Sequence, residues 1–414
     1  MSTRSRIVGL LFGAFLSQAP GSAAQQPGQP VPLPGVFDGG YLVFQSRDSA
    51  FKYWLDGRIM LDAAWYGGSR NTLSNGTAVR RARIGVKATL FTDWLAEIDV
   101  DFAGDAVEMK DLWIGYGGLR NALFRFGNMK EPFSLETLTS SKFITFMERS
   151  WADNLSPDRH IGAAASFFGK QWQVTGGIFG QGPPDVDETG VDEATGFTGR
   201  ATVAPILRER RLLHVGVSAS RREPDAGAGT DANQQRFRAR PETMVNRARF
   251  LSTGRIRNVD YTMLYNGELA AVAGPFSVQG EYTRAVVHRL EDLESATFEG
   301  GYGMASFFLT GESRPYLAHE GEFDRVIPRS KHGALEVAAR VSTLDLNDRT
   351  AGVDILGGKG VNYTVAANWY VNSNFKFSLN YVRVTTDENA VPDQGTEFPG
   401  DNFNILQIRW ALAF

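Results

Sequence analysis

Apolar and polar residues alternate along the end of the chain. The apolar series is Leu406, Ile408, Trp410, Leu412 and Phe414, and the intervening series is Gln407, Arg409, Ala411 and Ala413. Because a β-strand points successive side chains to opposite faces, this segment has one apolar and one polar face. A final strand that ends on an aromatic residue is typical of a barrel that meets lipid outside and water inside. The pattern therefore predicts a membrane-embedded strand at the C-terminus.

The same alternation recurs along most of the chain. It is clearest in segments 82–90, 96–102, 335–341, 361–371 and 375–381. From Phe51 onward there are 16 candidate strands, and an even number is what a closed antiparallel barrel requires. Charges on so many polar faces suit a wet lumen and would be costly in a packed soluble core. The predicted fold class is an all-β, 16-stranded antiparallel transmembrane β-barrel over residues 50–414.

The N-terminus predicts export. Arg4 and Arg6 precede the apolar run 7–16, and small residues lead to a cleavage point after Ala24. Residues 1–24 are thus a predicted secretory signal peptide, and the Pro- and Gln-rich residues 25–49 a predicted periplasmic linker. The apolar run spans only about 15 Å as a helix, half of a bilayer core, so it does not cross a membrane. The expected location is the outer membrane of a Gram-negative bacterium.

Composition argues against several other classes of function. The chain has no cysteine, which excludes disulfides and thiolate chemistry. Two of its 43 basic residues lie in the signal peptide, so 41 remain against 46 acidic residues, and nothing suggests nucleic-acid binding. The five histidines lack metal-binding spacing, and His214 and Ser218 share a strand face but lie too far apart for a catalytic pair. We therefore expect no enzymatic activity, no metal and no cofactor.

Cationic residues recur on the predicted lumen faces. Arg81, Arg83 and Lys87 share one face of a strand, where successive positions of that face lie about 7 Å apart. A guanidinium binds two phosphate oxygens at once, so this spacing favours a series of cations between which an anion steps. The alternative is a wall of mixed charge, in which the acids of segment 97–101 on the next strand balance these cations.

Two long connections carry further cations. Seven arginines occupy one of them: Arg236, Arg238, Arg240, Arg247, Arg249, Arg255 and Arg257. They either form an electrostatic funnel for anions at the mouth, or bind lipopolysaccharide phosphates, or pair with the acidic segment 185–193. The connection between Asn128 and Arg159 carries Lys142, which would stand at a constriction if this loop folds into the lumen.

Five segments carry a more specific pattern. They are RRARIGVKATLFTDW (80–94), FRFGNMKEPFSLETLTSSKFITFMERS (124–150), GPFSVQGEY (274–282), FFLTGESRPY (307–316) and NYTVAANWYVN (362–372). In this order they resemble the phosphate-selective porin O/P family of Gram-negative outer membranes. The resemblance implies a homotrimer of 16-stranded barrels in which the third long loop folds into the pore.

The resemblance also implies roles for individual residues. Arg81 and Arg83 match the start of an arginine ladder that selects anions, Lys142 matches a loop lysine, and Arg247 and Arg249 fall in an arginine-rich region. Thr137 stands where phosphate-specific members carry a second loop lysine.

These observations predict an outer-membrane porin for passive, anion-selective diffusion, with phosphate or polyphosphate as the expected solutes. The expected partners are small anions, outer-membrane lipid and lipopolysaccharide. The candidate pore-lining and anion-binding residues are Arg81, Arg83, Lys87, Arg125, Lys142, Arg247, Arg249, Arg340 and Arg409. The alternatives are a porin of low selectivity or for another small solute, and a structural or adhesive barrel whose loops bind a surface partner.

Overall fold

The computed structural model describes residues 36–414 except 39, 105, 183–193, 225–232, 351, 395 and 396. The predicted signal peptide and the acidic segment 185–193 therefore lie outside the described residues. The strands are β1 (Val36–Asp38), β2 (Tyr41–Gln45), β3 (Phe51–Gly67), β4 (Gly76–Leu90), β5 (Trp94–Asp101), β6 (Glu108–Tyr116), β7 (Ala122–Lys130), β8 (Arg159–Phe168), β9 (Trp172–Phe179), β10 (Gly196–Arg208), β11 (Arg211–Arg222), β12 (Arg238–Ala239), β13 (Leu251–Ser252), β14 (Val259–Ala273), β15 (Phe276–Arg289), β16 (Ala296–Phe308), β17 (Tyr316–Leu317), β18 (Glu322–Phe323), β19 (Ala334–Asp348), β20 (Ile355–Tyr370), β21 (Phe375–Thr386) and β22 (Asn402–Ala413). Two short helical segments, α1 (Leu135–Leu138) and a 3₁₀ helix (Trp151–Leu155), lie between β7 and β8.

Sixteen of the strands close into an antiparallel barrel. Each long strand pairs with the next long strand along the chain, and β22 pairs with β3 over residues 404–413 and 58–67 to complete the ring. The backbone of Phe414 continues this seam, because its N–H donates to the Gly57 carbonyl at 3.0 Å and its carbonyl accepts from Gly57 at 2.6 Å. The predicted 16-stranded antiparallel barrel is confirmed.

Part of the predicted linker belongs to the sheet. β1 pairs with β2, and β2 pairs with the first residues of β3, next to the point where β22 ends. Arg325 ties this corner together by donating to the carbonyls of Gly40, Ser373 and Ala413 at 3.4, 2.8 and 3.4 Å. Residues 36–38 and 41–45 of the predicted linker 25–49 are thus paired strands at the barrel seam.

The outer face of the barrel is apolar, as β22 illustrates. Leu406, Ile408 and Trp410 are exposed on this face, whereas Gln407 and Arg409 are buried on the lumen side. This is the alternation predicted from the sequence. An exposed apolar face on a strand whose other face is polar suits a lipid environment.

Aromatic side chains gather at the end of the barrel that carries the chain terminus. Trp369, Phe377 and Trp410 on three adjacent strands stack with ring centroids 5.8 Å apart. Trp94 and Tyr116 form a similar pair at 5.2 Å. Such aromatic girdles mark the membrane–water interface of outer-membrane barrels. The helical segments are a separate matter: among the described residues, no helix is long and apolar enough to cross a membrane.

Three connections in the described part of the chain fold into the lumen. We name them the inward loop (residues 131–158), the arginine hairpin (233–258), which lies at the same end of the barrel, and the periplasmic hairpin (309–333), which lies at the opposite end. The inward loop was predicted. The long periplasmic hairpin at the opposite end was not predicted. Its residues show no strand-length alternation that would have marked it.

These connections build an apolar core inside one side of the barrel. Trp151 and Leu155 of the inward loop pack with Phe237 and Phe250 of the arginine hairpin against β14–β16, β19, β21 and β22. A second cluster joins the inward loop to Phe323 of the periplasmic hairpin. Burial of each large apolar side chain stabilises the folded state by about 1.5–3 kcal/mol. This packing therefore holds the inserted segments against this side of the barrel. The side formed by β4–β9 stays open.

Candidate functional site

A cavity of about 1080 Å³ remains on the open side of the lumen, between the barrel wall and the inserted segments. Among the described residues, ten basic side chains line it: Lys52, Arg58, Lys87, Arg120, Arg125, Lys130, Lys142, Arg159, Arg200 and Arg325. Six acidic side chains do so: Asp56, Glu97, Asp111, Glu320, Glu322 and Asp324. A low-dielectric wall concentrates the field of such charges.

β4 directs Arg81, Arg83 and Lys87 into the lumen. Arg83 Nε lies 2.7 Å from Asp101 Oδ2, and Lys87 Nζ lies 3.2 Å from Glu97 Oε1. Arg81 makes no ion pair with the described residues, and its Nη1 lies 3.6 Å from the sulfur of Met60. Two of the three cations thus have the carboxylate neighbours of a mixed-charge wall. Anion binding by this series stays a prediction.

A β-bulge brings one more arginine into the lumen. The register between β3 and β4 shifts after Met60 and leaves Arg80 as an extra residue beside Arg81. Arg80 donates two hydrogen bonds of 2.8 Å to the carboxylate of Glu148 on the inward loop. Arg80 was not predicted to lie in the lumen, because a pattern of period two carries no signal for a bulge.

Arg409, a predicted pore-lining residue, anchors the inward loop to the barrel seam. Its guanidinium lies 2.7 Å from Asp62 on β3 and 2.6 Å from Glu148. Burial opposes ionisation of Glu148, but Arg80 and Arg409 outweigh it and hold the pKa of Glu148 well below its usual range. One loop carboxylate therefore joins two wall arginines, of which Arg409 is also paired with Asp62.

Arg340 has the same role on the far wall. Its guanidinium lies 3.1 Å from Glu136 on the inward loop and 2.6 Å from Glu242 on the arginine hairpin. Burial raises the pKa of Glu136 to about 7, although Arg340 acts against this shift. Arg340 thus connects two inserted segments to β19. The sequence placed this arginine in the lumen but gave no indication of its partners.

Lys142 lies inside the lumen, against the barrel wall. Its Nζ is 2.8 Å from both carboxylate oxygens of Asp56, and the adjacent Ser141 accepts a 3.0 Å hydrogen bond from Arg58. Burial lowers the pKa of Lys142 to about 7; Asp56 opposes this shift, while Arg58 and Lys87 add to it. The charge of Lys142 therefore changes near neutral pH.

Arg125 differs from these paired cations. Its guanidinium lies 5.7 Å from the ring centroid of Trp113, and its side chain lines the cavity. Within the described part of the chain it forms no ion pair, and its Nε has no hydrogen-bond partner. A cation that rests on an aromatic face keeps its charge available to a passing anion.

The arginine hairpin is amphipathic. Phe237 and Phe250 point into the apolar core, while Arg238 and Arg247 are exposed on the other face. Arg249 lies 3.4 Å from Asp393, so it is paired. Burial, Arg249 and Arg236 all lower the pKa of Arg238, which reflects the crowding of positive charge on this face. The exposed face is therefore strongly cationic, and the acidic segment proposed as its partner lies outside the described residues.

The residues considered for catalysis have other partners. His214 is fully buried, with Nε2 3.0 Å from Glu268 and Nδ1 2.6 Å from the Tyr316 hydroxyl. Ser218 accepts a 3.4 Å hydrogen bond from the Ser134 N–H. In the part of the chain that the structure describes, no group of three His, Asp or Glu side chains is arranged to hold a metal ion.

A closed barrel with an apolar outer face, a charged lumen and an inserted loop is the architecture of an outer-membrane porin. Residues 54–414 match the family model described as "Phosphate-selective porin O and P", and the chain belongs to that family. The fold and the family are those of channels, and they confirm the predicted family and the outer-membrane location.

Relatives and solved structures agree with this assignment. Porin O of Pseudomonas aeruginosa is 28% identical over 399 residues, which cover 88% of this chain and 89% of that protein. A protein of Caulobacter vibrioides is 30% identical over 365 residues, 82% of this chain and 69% of that protein. The anion-selective porin from Comamonas acidovorans superimposes with a TM-score of 0.53 at 13% identity, covering 88% of this chain and 100% of that chain. At this identity the structural likeness shows the fold alone.

Proposed function

We propose that this porin provides passive diffusion of small anions across the outer membrane. The supporting observation is the cavity lining, in which ten basic side chains stand against six acidic ones. The family description and the anion-selective porin of Comamonas acidovorans point in the same direction. Several weak cationic positions suit conduction better than one tight site, because an anion must also leave.

Inorganic phosphate is one of the anions we propose as a solute. Arg125 is the residue best placed to meet it, since it lines the cavity and forms no ion pair with the described residues. On the mouth side, the exposed face of the arginine hairpin would raise the local anion concentration. Lipopolysaccharide phosphates compete for the same face, because their chemistry is the same.

A porin of low selectivity is the second candidate. Six of the nine predicted pore-lining cations have a carboxylate within ion-pair distance: Arg83, Lys87, Lys142, Arg249, Arg340 and Arg409. Paired cations contribute a weaker net field than free ones. The permeabilities of chloride and phosphate would therefore differ little in such a lumen. We propose a homotrimer for either candidate, as in the trimer form of OmpT of Vibrio cholerae.

Substitution Arg125→Gln in planar bilayers tests the proposal. We expect the substitution to lower the chloride-to-potassium permeability ratio by up to about fivefold, since one cation near a wet pathway is worth about 1 kcal/mol to an anion. Phosphate should block the wild-type chloride current, and this block should weaken in the variant. The measurements are the reversal potential in a salt gradient and the chloride current during phosphate titration.

Arg284→Gln is the matched control, because Arg284 lies on the outer face of β15 and is half exposed. It should leave both quantities unchanged. A wild-type pore that conducts without preferring anions would support the candidate of low selectivity. A wild-type protein that gives no conductance would overturn both candidates and favour a structural role.

A further inference from the structure

We propose that the periplasmic hairpin forms the negative side of a transverse electric field in the lumen, and that this field favours dipolar organic solutes. Such solutes carry a carboxylate or phosphate at one end and an ammonium at the other. The proposal builds on the proposed function and adds to it a class of solute and the segment that selects it.

The acids of this field lie on the periplasmic hairpin. Glu320, Glu322 and Asp324 line the same cavity as Arg125 and Lys130, which belong to β7. Arg125 interacts electrostatically with both glutamates, and Lys130 with Glu322. Among the described residues, however, none of the three acids forms an ion pair with a wall cation. The two sets of charges therefore face each other across the cavity instead of neutralising each other by contact.

The hairpin is fixed in this position by the opposite wall. Arg200 donates a 2.8 Å hydrogen bond to the Gly321 carbonyl, and Gln173 donates a 3.0 Å hydrogen bond to the His319 carbonyl. Tyr316 bonds to His214 at 2.6 Å, and Phe323 packs in an apolar cluster with the inward loop. These contacts lie on both sides of Glu320 and Glu322, so they fix the backbone that carries the two acids on the hairpin side of the cavity.

Fixed charges of opposite sign on two sides of a narrow space act on both ends of a dipolar solute. The anionic end is attracted to the cations of the wall, and the ammonium is attracted to the acids of the hairpin. The solute therefore aligns with the field and is stabilised electrostatically at both ends. A simple anion gains at the wall but is repelled by the hairpin. An uncharged solute is attracted by neither the wall nor the hairpin, and it must displace water molecules that the field orients.

Neutralising the hairpin tests this field. The test variant is Glu320→Gln/Glu322→Gln/Asp324→Asn, and the matched control is Glu291→Gln/Asp292→Asn/Glu294→Gln on the exposed connection 290–295. Both remove the same charge by the same chemistry. In planar bilayers the test variant should raise the chloride-to-potassium permeability ratio roughly threefold or more, because the repulsion of anions is lost. In liposome-swelling assays, entry of serine relative to erythritol, which is of similar size, should fall.

The control variant should match the wild type in both assays. An unchanged permeability ratio in the test variant, or an equal change in the control, would contradict the proposed field. A changed ratio with unchanged serine entry would overturn the solute class. If the triple variant fails to form heat-resistant barrels, Glu322→Gln alone should show the same directions with smaller effects. Failure of the proposed function can be distinguished, because it would appear in the chloride-to-potassium permeability ratio of the wild type. The field is tested by the difference in that ratio between the variant and the wild type.

Discussion

Arg340 and Arg125 come from similar strand positions, but their surroundings differ. Arg340 lies on the filled side of the lumen, where it is 3% exposed and contacts Glu136 and Glu242. Arg125 lies on the open side, over Trp113 and beside the cavity. The same alternation of residues therefore produces an anchor on one side of the barrel and an available charge on the other.

Solvent explains the difference. On the filled side an unpaired guanidinium would lose its hydration without compensation, which costs several kcal/mol, so the inserted segments must supply carboxylates. Arg125 instead lies beside the cavity on the open side, where water can solvate its charge and a carboxylate partner is not needed. The position of the inserted segments thus decides which lumen arginines are structural and which can contact a solute.

The filled side is most directly disrupted by Gly360→Ala. Gly360 lies on β20 under the Trp151 ring, and an added Cβ would overlap that ring. Because Trp151 is fully buried in the apolar core, its displacement should cost about 3–5 kcal/mol, comparable with truncating a buried aromatic. The inward loop should detach in a large fraction of molecules, and single-channel conductance should rise and fluctuate.

Gly303→Ala is the control for this substitution. Gly303 lies in the middle of β16, and no atom lies within 4 Å of the position its Cβ would take. The same change should therefore leave conductance and thermal stability unaltered. Equal conductance in both variants would contradict the claim that Trp151 holds the loop against this side of the barrel.

Glu148→Gln should loosen the same loop to a smaller extent. The carboxylate accepts hydrogen bonds from Arg80 and Arg409, and an amide can accept at only one of its two terminal atoms. Loss of a charge-assisted hydrogen bond in a buried site costs about 1.5–3 kcal/mol. We expect a lower midpoint of thermal unfolding and a moderate rise in conductance, with Glu388→Gln, an exposed loop carboxylate, as the unaffected control. A variant with the same midpoint of thermal unfolding and the same conductance as the wild type would show that Glu148 does not anchor the inward loop.

The sequence was sufficient to predict the strands and the direction of their side chains, because alternation is a local property of each strand. On that basis it assigned Arg340 and Arg409 to lumen faces, and both side chains are buried in the structure. Their partners could not be predicted: Asp62 precedes Arg409 by 347 residues, and Glu136 precedes Arg340 by 204. Pairing over such distances depends on how the loops fold.

The inserted segments show the same limit. The inward loop was recognised by its length and by family resemblance, whereas the periplasmic hairpin interrupts a series of otherwise short turns. The bulge at Arg80 and the strand pairing of residues 36–45 are also products of tertiary contacts. Each of these features changes which charges line the cavity, so the fold was more predictable than the site.

The smallest effect we predict is a dependence of selectivity on pH, and it arises on the open side. Lowering the pH from about 8 to about 6 should protonate Lys142, whose pKa burial lowers to about 7, and Glu322, whose pKa burial and Glu320 raise to about 7. Lys142 lies against Asp56, and Glu322 faces Lys130. Both protonations add positive charge to the cavity, so acidification should raise the chloride-to-potassium permeability ratio by about two- to threefold.

Reversal potentials of the wild type in a salt gradient at the two pH values measure this change. The double variant Lys142→Met/Glu322→Gln removes both titrating groups and should lose most of the pH dependence, whereas the exposed control Glu291→Gln should retain it. A wild-type ratio that stays constant or falls on acidification would contradict the assignment of the two groups to the open cavity. A ratio that still rises in the double variant would show that other groups titrate there. With the expected outcome, the open side of the lumen would carry a charge balance that physiological pH can shift, while Glu148 stays ionised because Arg80 and Arg409 hold its pKa well below its usual range.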